Sequence, residues 1–170
     1  MRNQETAPPS VLDIEASGFG AGSYPIEIGF ALPDHTSHCR LVKPCPHWTH
    51  WSKQAESMHG VSQTQLQEKG VDVKILAEWL NTTLADKTVY SDAWSHDMSW
   101  LGKLFDAADM APTFKIDSIV TLLSEQQLDQ WHTKKELVMT ALNVQRHRAS
   151  SDALIIQRTL MTLLDIPLPT

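Results

Sequence analysis

Cysteine is scarce in this sequence: Cys39 and Cys45 are the only two, and they are six positions apart. This spacing differs from the Cys-x-x-Cys arrangement of common zinc and redox motifs. A disulfide or a zinc site is the alternative, but two buried or otherwise inert thiols account better for so few cysteines. We therefore expect no disulfide framework and no structural zinc.

Long hydrophobic runs are also missing. No apolar stretch approaches the roughly 18 residues that a membrane-spanning helix needs. Residues 1–10 are polar and include Pro8 and Pro9, and they lack the basic-then-apolar order of a signal peptide. We therefore expect a cytoplasmic protein with no membrane partner and with a flexible segment at 1–10.

Basic residues are outnumbered by acidic ones. The chain has 14 Lys and Arg against 20 Asp and Glu, which gives a net charge of −6 and a pI of about 5.7. Taken alone, this balance argues against a nucleic-acid partner, because phosphate neutralisation favours basic surfaces. The objection weakens if some of the acids hold divalent cations, since bound ions reverse the local field.

The rest of the composition is typical of one globular domain. The chain has 170 residues, 42% of them hydrophobic and 20% charged, which is enough to bury a core without staples. We predict a single domain over 1–170, with no internal repeat.

Strands come first and helices follow, an order that predicts an α/β fold with a mixed central sheet flanked by helices. The predicted strands are 11–17, 24–32, 38–42, 88–91 and a short piece near 114–116; the predicted helices are 51–58, 62–69, 71–84, 95–109, one from about 118, 134–142 and 149–164.

Two acids lie within the first apolar strand. Asp13 and Glu15 are two residues apart, so strand periodicity puts both carboxylates on one face and apolar neighbours on the other. Burying two like charges on a central strand is unfavourable without a partner, and a divalent cation is the usual one. The alternative is an edge strand with one solvated face.

Two further acids lie on apolar helix faces. Asp97 shares its face with Trp100 and Leu101, and Asp152 shares its own with Ile155 and Ile156. Each has a plainer explanation, since a first-turn acid also caps a helix or interacts with its dipole. Asp92 is close to Asp97 but precedes the helix and lacks an apolar face.

His147 lies in the turn that enters the last helix, five residues before Asp152; the plainer explanation is a surface histidine. If the four acids converge, they need cations, and oxygen ligands favour Mg²⁺ or Mn²⁺. Two such ions clamp the attacking and leaving oxygens of a phosphoryl displacement, and a neutral histidine accepts the proton of the attacking water. Periodicity alone leaves the convergence open.

Three segments together resemble the DEDDh 3′→5′ exonuclease family, which includes ribonuclease T, oligoribonuclease and the proofreading subunit of bacterial DNA polymerase III. The segments are 13–18 (Asp-Ile-Glu-Ala-Ser-Gly), 95–101 (Ser-His-Asp-Met-Ser-Trp-Leu) and 147–153 (His-Arg-Ala-Ser-Ser-Asp-Ala), with 24–29 and 58–61 as further landmarks. The chain departs from the family where Ala93 replaces a common Asn and where Ala16-Ser17 replaces a common Thr. These departures bear on substrate contacts more than on catalysis.

The resemblance implies a ribonuclease-H-like fold and a two-metal site. In that site Asp13 bridges both ions, Glu15 and Asp152 hold the ion that carries the attacking water, and Asp97 supports the site through water. His147 is the implied general base. All five residues are therefore expected to be catalytic, and the four acids to be metal ligands.

The resemblance also implies substrate contacts. The backbone of Ala16, Ser17 and Gly18 approaches the terminal 3′-OH, and Phe19 wedges against the last base, because stacking tolerates any sequence; the alternative for Phe19 is a core position. The tryptophans are expected to be mostly core, and only Trp48 and Trp51 are considered for stacking.

The activity expected from this resemblance is release of nucleoside 5′-monophosphates from the 3′ ends of single-stranded DNA or RNA, with two Mg²⁺ or Mn²⁺ ions as cofactors and a homodimer as one possible assembly. One alternative is an inactive nucleic-acid-binding or tethering module of the same fold. Another is a two-metal phosphatase that acts on small phosphate esters.

Overall fold

The structure is a computed structural model that describes residues 7–169. Its centre is a five-stranded mixed sheet with the strand order β3-β2-β1-β4-β5. β2 pairs antiparallel with both β1 and β3, whereas β4 pairs parallel with both β1 and β5. The strands are β1 (Ser10–Ala16), β2 (Pro25–Ala31), β3 (Ser37–Leu41), β4 (Thr88–Ser91) and β5 (Lys115–Ser118).

Helices cover both faces of this sheet. The helices between residues 7 and 169 are α1 (Lys53–His59), α2 (Gln63–Lys69), α3 (Val73–Leu84), α4 (Trp94–Ala108), α5 (Glu125–Leu142) and α6 (Ala149–Leu163). Leu12 and Ile14 of β1 belong to the apolar cluster that includes α3 and α4, and Val11 belongs to the one with α6. The predicted mixed sheet with flanking helices is confirmed, and β1 lies between two partner strands, so the edge-strand alternative is wrong.

Gly29 of β2 allows α6 to approach the sheet closely. A Cβ atom at this position would lie 2.3 Å from the Ala149 carbonyl carbon and 2.3 Å from the Ser150 nitrogen. Any side chain would therefore push the first turn of α6 away from β2. The absence of a side chain at Gly29 determines where α6, and the loop before it, can lie.

The largest difference from the predicted elements is α5. The sequence predicts one helix from about 118 and another at 134–142, but the structure has a short 3₁₀ turn at Ile119–Leu122 and one 18-residue helix. That helix starts with a capping box formed by Ser124 and Gln127. Trp131 is the only buried residue of this helix, so the first half of the helix shows no apolar stripe. Hydrophobic periodicity therefore could not reveal the full helix.

Other predictions meet mixed outcomes. Residues 1–6 of the predicted flexible segment lie outside the described residues, and Ser10 already belongs to β1. Both cysteines are free; Cys39 is exposed on β3 and Cys45 is half-buried. Within the described part of the chain, no helix combines the length and the apolar character required to cross a membrane.

Candidate active site

β1 presents two carboxylates on the same face. Asp13 lies opposite Gly29 of β2, and Glu15 lies opposite Glu27. Both acids are partly buried, while Leu12 and Ile14 point into the core on the other face. This is the alternation that strand geometry predicts.

Asp97 reaches the same pocket from the first turn of α4. Its side chain is buried, and its Oδ2 accepts a hydrogen bond of 2.5 Å from the Ser91 hydroxyl at the end of β4. Ser91 Oγ in turn accepts the Ala93 amide at 2.9 Å. Asp97 does not cap α4, because the N-cap is Ala93 and makes no side-chain cap bond. Ser91 therefore holds this carboxylate and was not expected from the sequence.

α6 and the loop before it complete the set. Asp152 is buried in the first turn of α6. Glu15, His147 and Asp152 each offer one ligand atom, and these atoms all lie within 4.8 Å of one another. His147 has a left-handed backbone with a φ of 58°. Arg146 Nε lies 3.4 Å from Asp152 Oδ1, so a basic residue from the loop already contacts one of the acids.

A partly buried ion pair joins this loop to the sheet. Arg148 donates from Nη2 to Glu27 Oε1 at 2.6 Å and from Nε to both carboxylate oxygens at 3.1 Å. The Ala149 amide donates to Glu27 Oε2 at 2.9 Å. Glu27 is fully buried on β2. An acid inside an apolar strand was the one sequence signal that could have identified this anchor.

Burial and mutual repulsion dominate the electrostatics of the pocket. Burial, and then the charges of Asp97 and Glu15, raise the pKa of Asp13 well above its usual value. Burial and the charge of Asp152 raise the pKa of Glu15 to about 7. Burial also raises the pKa of Asp97 to about 7, although the hydrogen bond from Ser91 opposes this. Positive charge supplied nearby would favour the ionised form of each of these groups.

The donor set fits divalent cations. Carboxylate oxygens are the ligands that Mg²⁺ and Mn²⁺ prefer, and a bound cation would relieve the repulsion that raises these pKa values. All five residues predicted to be catalytic line one pocket of about 380 Å³. The structure thus brings together the acids whose convergence periodicity left open, while their roles stay predictions.

Aromatic and basic side chains surround the carboxylates of this pocket. Phe19 is 72% exposed, so the core alternative for it is wrong. Its ring centroid lies 5.4 Å from that of His96 and 6.1 Å from that of Trp100. Lys135 of α5 and Arg146 lie among the lining residues as well. The pocket therefore offers an aromatic surface and two cations around its carboxylates.

The predicted substrate-contact segment is only partly at the pocket. Ala16 and Gly18 line it, as Phe19 does. Ser17 is turned away: its Oγ lies 3.0 Å from His50 Nδ1 and accepts the Tyr24 amide at 3.1 Å. Its amide and carbonyl also have partners within the protein. Ser17 thus stabilises the loop between β1 and β2.

Neither tryptophan considered for stacking lines this pocket. Trp48 is buried and stacks on Tyr24 with ring centroids 5.3 Å apart. Trp51 donates from Nε1 to Glu56 at 2.8 Å. Trp94, expected with most tryptophans in the core, is instead 40% exposed.

Asp92 stands apart from the set of acids that line the pocket, as the sequence suggested. It forms a partly buried ion pair with Lys135 of α5. Its charge nevertheless raises the pKa of both Asp13 and Asp97. Asp92 is therefore an electrostatic neighbour of the pocket, and it ties α5 to the end of β4.

Comparison with solved structures relates this fold to exonucleases. The chain is similar to Escherichia coli Exonuclease I in complex with a 5cy-dA13 oligonucleotide (TM-score 0.64, 12% identity, 92% of this chain, 42% of that chain). It is also similar to the zinc-bound form of the E. coli Exonuclease I–ssDNA complex (TM-score 0.64, 11% identity, 92% of this chain, 42% of that chain). A third match is a moderately thermophilic Exonuclease I from Methylocaldum szegediense (TM-score 0.61, 12% identity, 89% of this chain, 39% of that chain).

These likenesses confirm the predicted ribonuclease-H-like fold. The chain spans less than half of the length of the exonucleases that it matches. No family model matches it, and no curated protein does.

Proposed function

We propose that this protein is a metal-dependent 3′→5′ exonuclease of the DEDDh type that hydrolyses single-stranded nucleic acid and releases nucleoside 5′-monophosphates. The observation that carries the proposal is the meeting of Glu15, His147 and Asp152 within 4.8 Å, in a pocket that Asp13 and Asp97 also line. The ssDNA complexes of Exonuclease I, which has a similar fold, support the same class of substrate.

Asp13, Glu15, Asp97 and Asp152 would hold two divalent cations, Mg²⁺ or Mn²⁺. When bound, such ions activate water and stabilise negative charge on a phosphoryl group. His147 accepts the proton of the attacking water, and the loop on which it lies lets it approach once substrate is bound. Arg148 and Glu27 keep that loop registered to the sheet.

The walls of the pocket suit a terminal nucleotide. Phe19 is exposed next to His96 and Trp100 and offers a surface on which a base of any identity can stack. Lys135 and Arg146 supply positive charge that the chain lacks overall. The backbone at Ala16 and Gly18 approaches the 3′ end of the strand.

The decisive experiment is digestion of matched DNA and RNA oligomers that are labelled at the 5′ end, with Mg²⁺, with Mn²⁺ and with excess chelator. We expect a ladder of single-nucleotide steps from the 3′ end that needs metal. Full activity in chelator would contradict the metal-dependent mechanism. Binding without cleavage under all conditions would favour an inactive binding module.

A parallel assay with a mononucleotide ester tests the phosphatase alternative. An exonuclease should release nucleotides from oligomers much faster than it releases phosphate from the ester. The reverse preference would replace the proposed function with phosphatase activity.

A further inference from the structure

Arg146 lies in the loop before α6, directly before His147, and the protein holds its guanidinium only weakly. The side chain is 46% exposed and lines the pocket of the carboxylates. Within residues 7–169 the one ion-pair partner of this guanidinium is Asp152, whose Oδ1 lies 3.4 Å from Nε. A well-formed bond between a guanidinium and a carboxylate is shorter, about 2.7–2.9 Å. Most of the N–H donors of Arg146 are therefore available to a ligand.

Two other basic side chains of this region are already paired. Lys135 of α5, which also lines the pocket, forms an ion pair with Asp92, and its side chain is only 23% exposed. Arg148 donates to Glu27 from both Nε and Nη2. Of these three cations, Arg146 is therefore the one that can turn to an incoming anion without breaking a strong contact inside the protein.

The contact of Arg146 with Asp152 is also the one that a divalent cation would replace. Glu15, His147 and Asp152 offer ligand atoms that lie within 4.8 Å of one another, so Arg146 contacts a carboxylate of the set that would hold the ion. The guanidinium competes there with a doubly charged ion, which attracts the carboxylate more strongly and repels the guanidinium. Arg148 anchors the loop two residues further on, so the side chain of Arg146 can turn while the backbone stays in place.

A phosphate is the ligand that this guanidinium suits. The acids of the pocket repel an anion, whereas an arginine can pair with two phosphate oxygens at once. In the proposed reaction, the attacked phosphate lies beside the cations that Asp152 and the other acids hold. A side chain that contacts Asp152 is therefore within reach of that phosphate.

We propose that the guanidinium of Arg146 binds the 5′-phosphate of the terminal nucleotide, the phosphate at which the strand is cut, once a divalent cation has taken its place on Asp152. This inference rests on the proposed function and adds to it a substrate-binding residue outside the carboxylates and the histidine. The motif at 147–153 begins one residue after Arg146, so the resemblance to exonucleases does not itself supply this residue.

Three substitutions test this role against a matched control. Arg146→Gln removes the charge and the planar fork of donors, whereas Arg146→Lys keeps the charge and loses the fork. Lys135→Gln tests the other cation that lines the pocket. Lys74→Gln is the control, because it removes one positive charge from an exposed position of α3 that lies outside the pocket.

The affinities of deoxyadenosine 5′-monophosphate and of deoxyadenosine are measured for each protein at saturating Mn²⁺. We expect Arg146→Gln to weaken binding of the monophosphate roughly tenfold to a hundredfold, the effect of losing hydrogen bonds between charged groups, and to leave binding of the nucleoside unchanged. Arg146→Lys should recover part of the loss, and Lys74→Gln should match wild type. An equal loss for both ligands, or a loss of the preference for the monophosphate in Lys135→Gln but not in Arg146→Gln, would overturn the inference.

Mn²⁺ affinity without nucleotide is the second readout. We expect Arg146→Gln to bind Mn²⁺ several-fold more tightly than wild type, because no guanidinium then competes for Asp152. Weaker Mn²⁺ binding would overturn the inference, since Arg146 would then hold Asp152 in place for the ion. If wild type neither binds nor cleaves oligomers, the proposed function itself fails; if it cleaves them and Arg146→Gln keeps the wild-type preference for the monophosphate, only this inference fails.

Discussion

Asp13 illustrates the electrostatic problem at the scale of a single residue. It lies on a central strand, and burial together with the charges of Asp97 and Glu15 raises its pKa. Without a cation, the protein therefore tolerates the protonated form of Asp13 better than the charged form. With a cation bound, the charged form is favoured, because the ionised carboxylate is the form that holds the cation.

Asp13→Asn should abolish cleavage under the proposed mechanism, because an amide would hold a divalent cation far more weakly than a carboxylate. In excess chelator its melting temperature should equal or exceed that of wild type, since one repelling charge is gone. Both quantities come from an oligomer digest and thermal melts with chelator. Asp106→Asn, at an exposed position of α4, is the control and should change neither. A marked loss of melting temperature in Asp13→Asn alone would mean that Asp13 has a structural role.

His147→Ala tests the proton acceptor. The imidazole must be neutral to accept a proton, so the wild-type rate should fall at acidic pH, where an imidazole is protonated. We expect the variant to lose roughly 10²–10⁴-fold in rate, the usual share of general-base catalysis, with metal affinity nearly unchanged. A pH–rate profile and a Mn²⁺ titration of both proteins check this. If the variant keeps the wild-type rate and its acidic limb, His147 is not the base; if it loses Mn²⁺, His147 is a ligand instead.

At the scale of elements, the site depends on how α6 is joined to β2. Gly29 lets the backbone of α6 approach the strand, and Glu27 accepts hydrogen bonds from Arg148 and from the Ala149 amide. Arg148 directly follows His147, and Ala149 lies three residues before Asp152, within one turn of the helix. The positions of two candidate catalytic groups are therefore determined by an ion pair that touches neither of them.

Glu27→Gln should lower the free energy of unfolding by roughly 2–3 kcal/mol, because it leaves Arg148 without its counter-charge. This loss of stability is smaller than the loss expected from breaking a fully buried ion pair, because the Arg148 side chain is 35% exposed. Activity should fall as well, because the loop carrying His147 loses its anchor. Urea denaturation and the oligomer digest measure the two effects. Glu136→Gln, exposed on α5, should change stability by less than about 0.5 kcal/mol; equal effects of the two substitutions would contradict the anchoring role.

At the scale of the whole molecule, the raised pKa values link stability to pH and metal. Glu15 and Asp97 titrate near 7 in the folded protein, whereas free carboxyl groups titrate near 4. Between these values the folded state binds more protons than the unfolded state. The stability that these groups contribute is therefore present at low pH and is lost as the pH rises through about 7.

We expect the metal-free protein to become less stable from about pH 5 to pH 8, and saturating Mn²⁺ to restore stability most strongly at the upper end, where carboxylates are free to bind it. Urea denaturation at several pH values, with chelator and with Mn²⁺, measures both trends. Glu15→Gln in chelator should show a shallower pH dependence than wild type. A wild-type profile that is flat in chelator and unaffected by Mn²⁺ would contradict the raised pKa values.

The local sequence pattern predicted much of the fold and the five residues expected to be catalytic. Residues 13–18, 95–101 and 147–153 were picked out by motif and spacing, and strand alternation correctly put Asp13 and Glu15 on one face. Such inferences succeed because the direction of a side chain follows from the backbone of its own element. They failed for α5, whose first half buries only Trp131 and so carries no periodic signal.

Only the tertiary structure decided which distant groups meet. Glu27 and Arg148 are 121 positions apart, and nothing in either segment specifies the partner. The same holds for the proximity of Arg146 to Asp152 and for the inward turn of Ser17. The physical reason is that these contacts depend on how helices pack on the sheet, at points such as Gly29 where one absent side chain sets the distance between two elements. The sequence alone therefore identified the carboxylates and the histidine, whereas packing determined their surroundings and raised the pKa values of Asp13, Glu15 and Asp97.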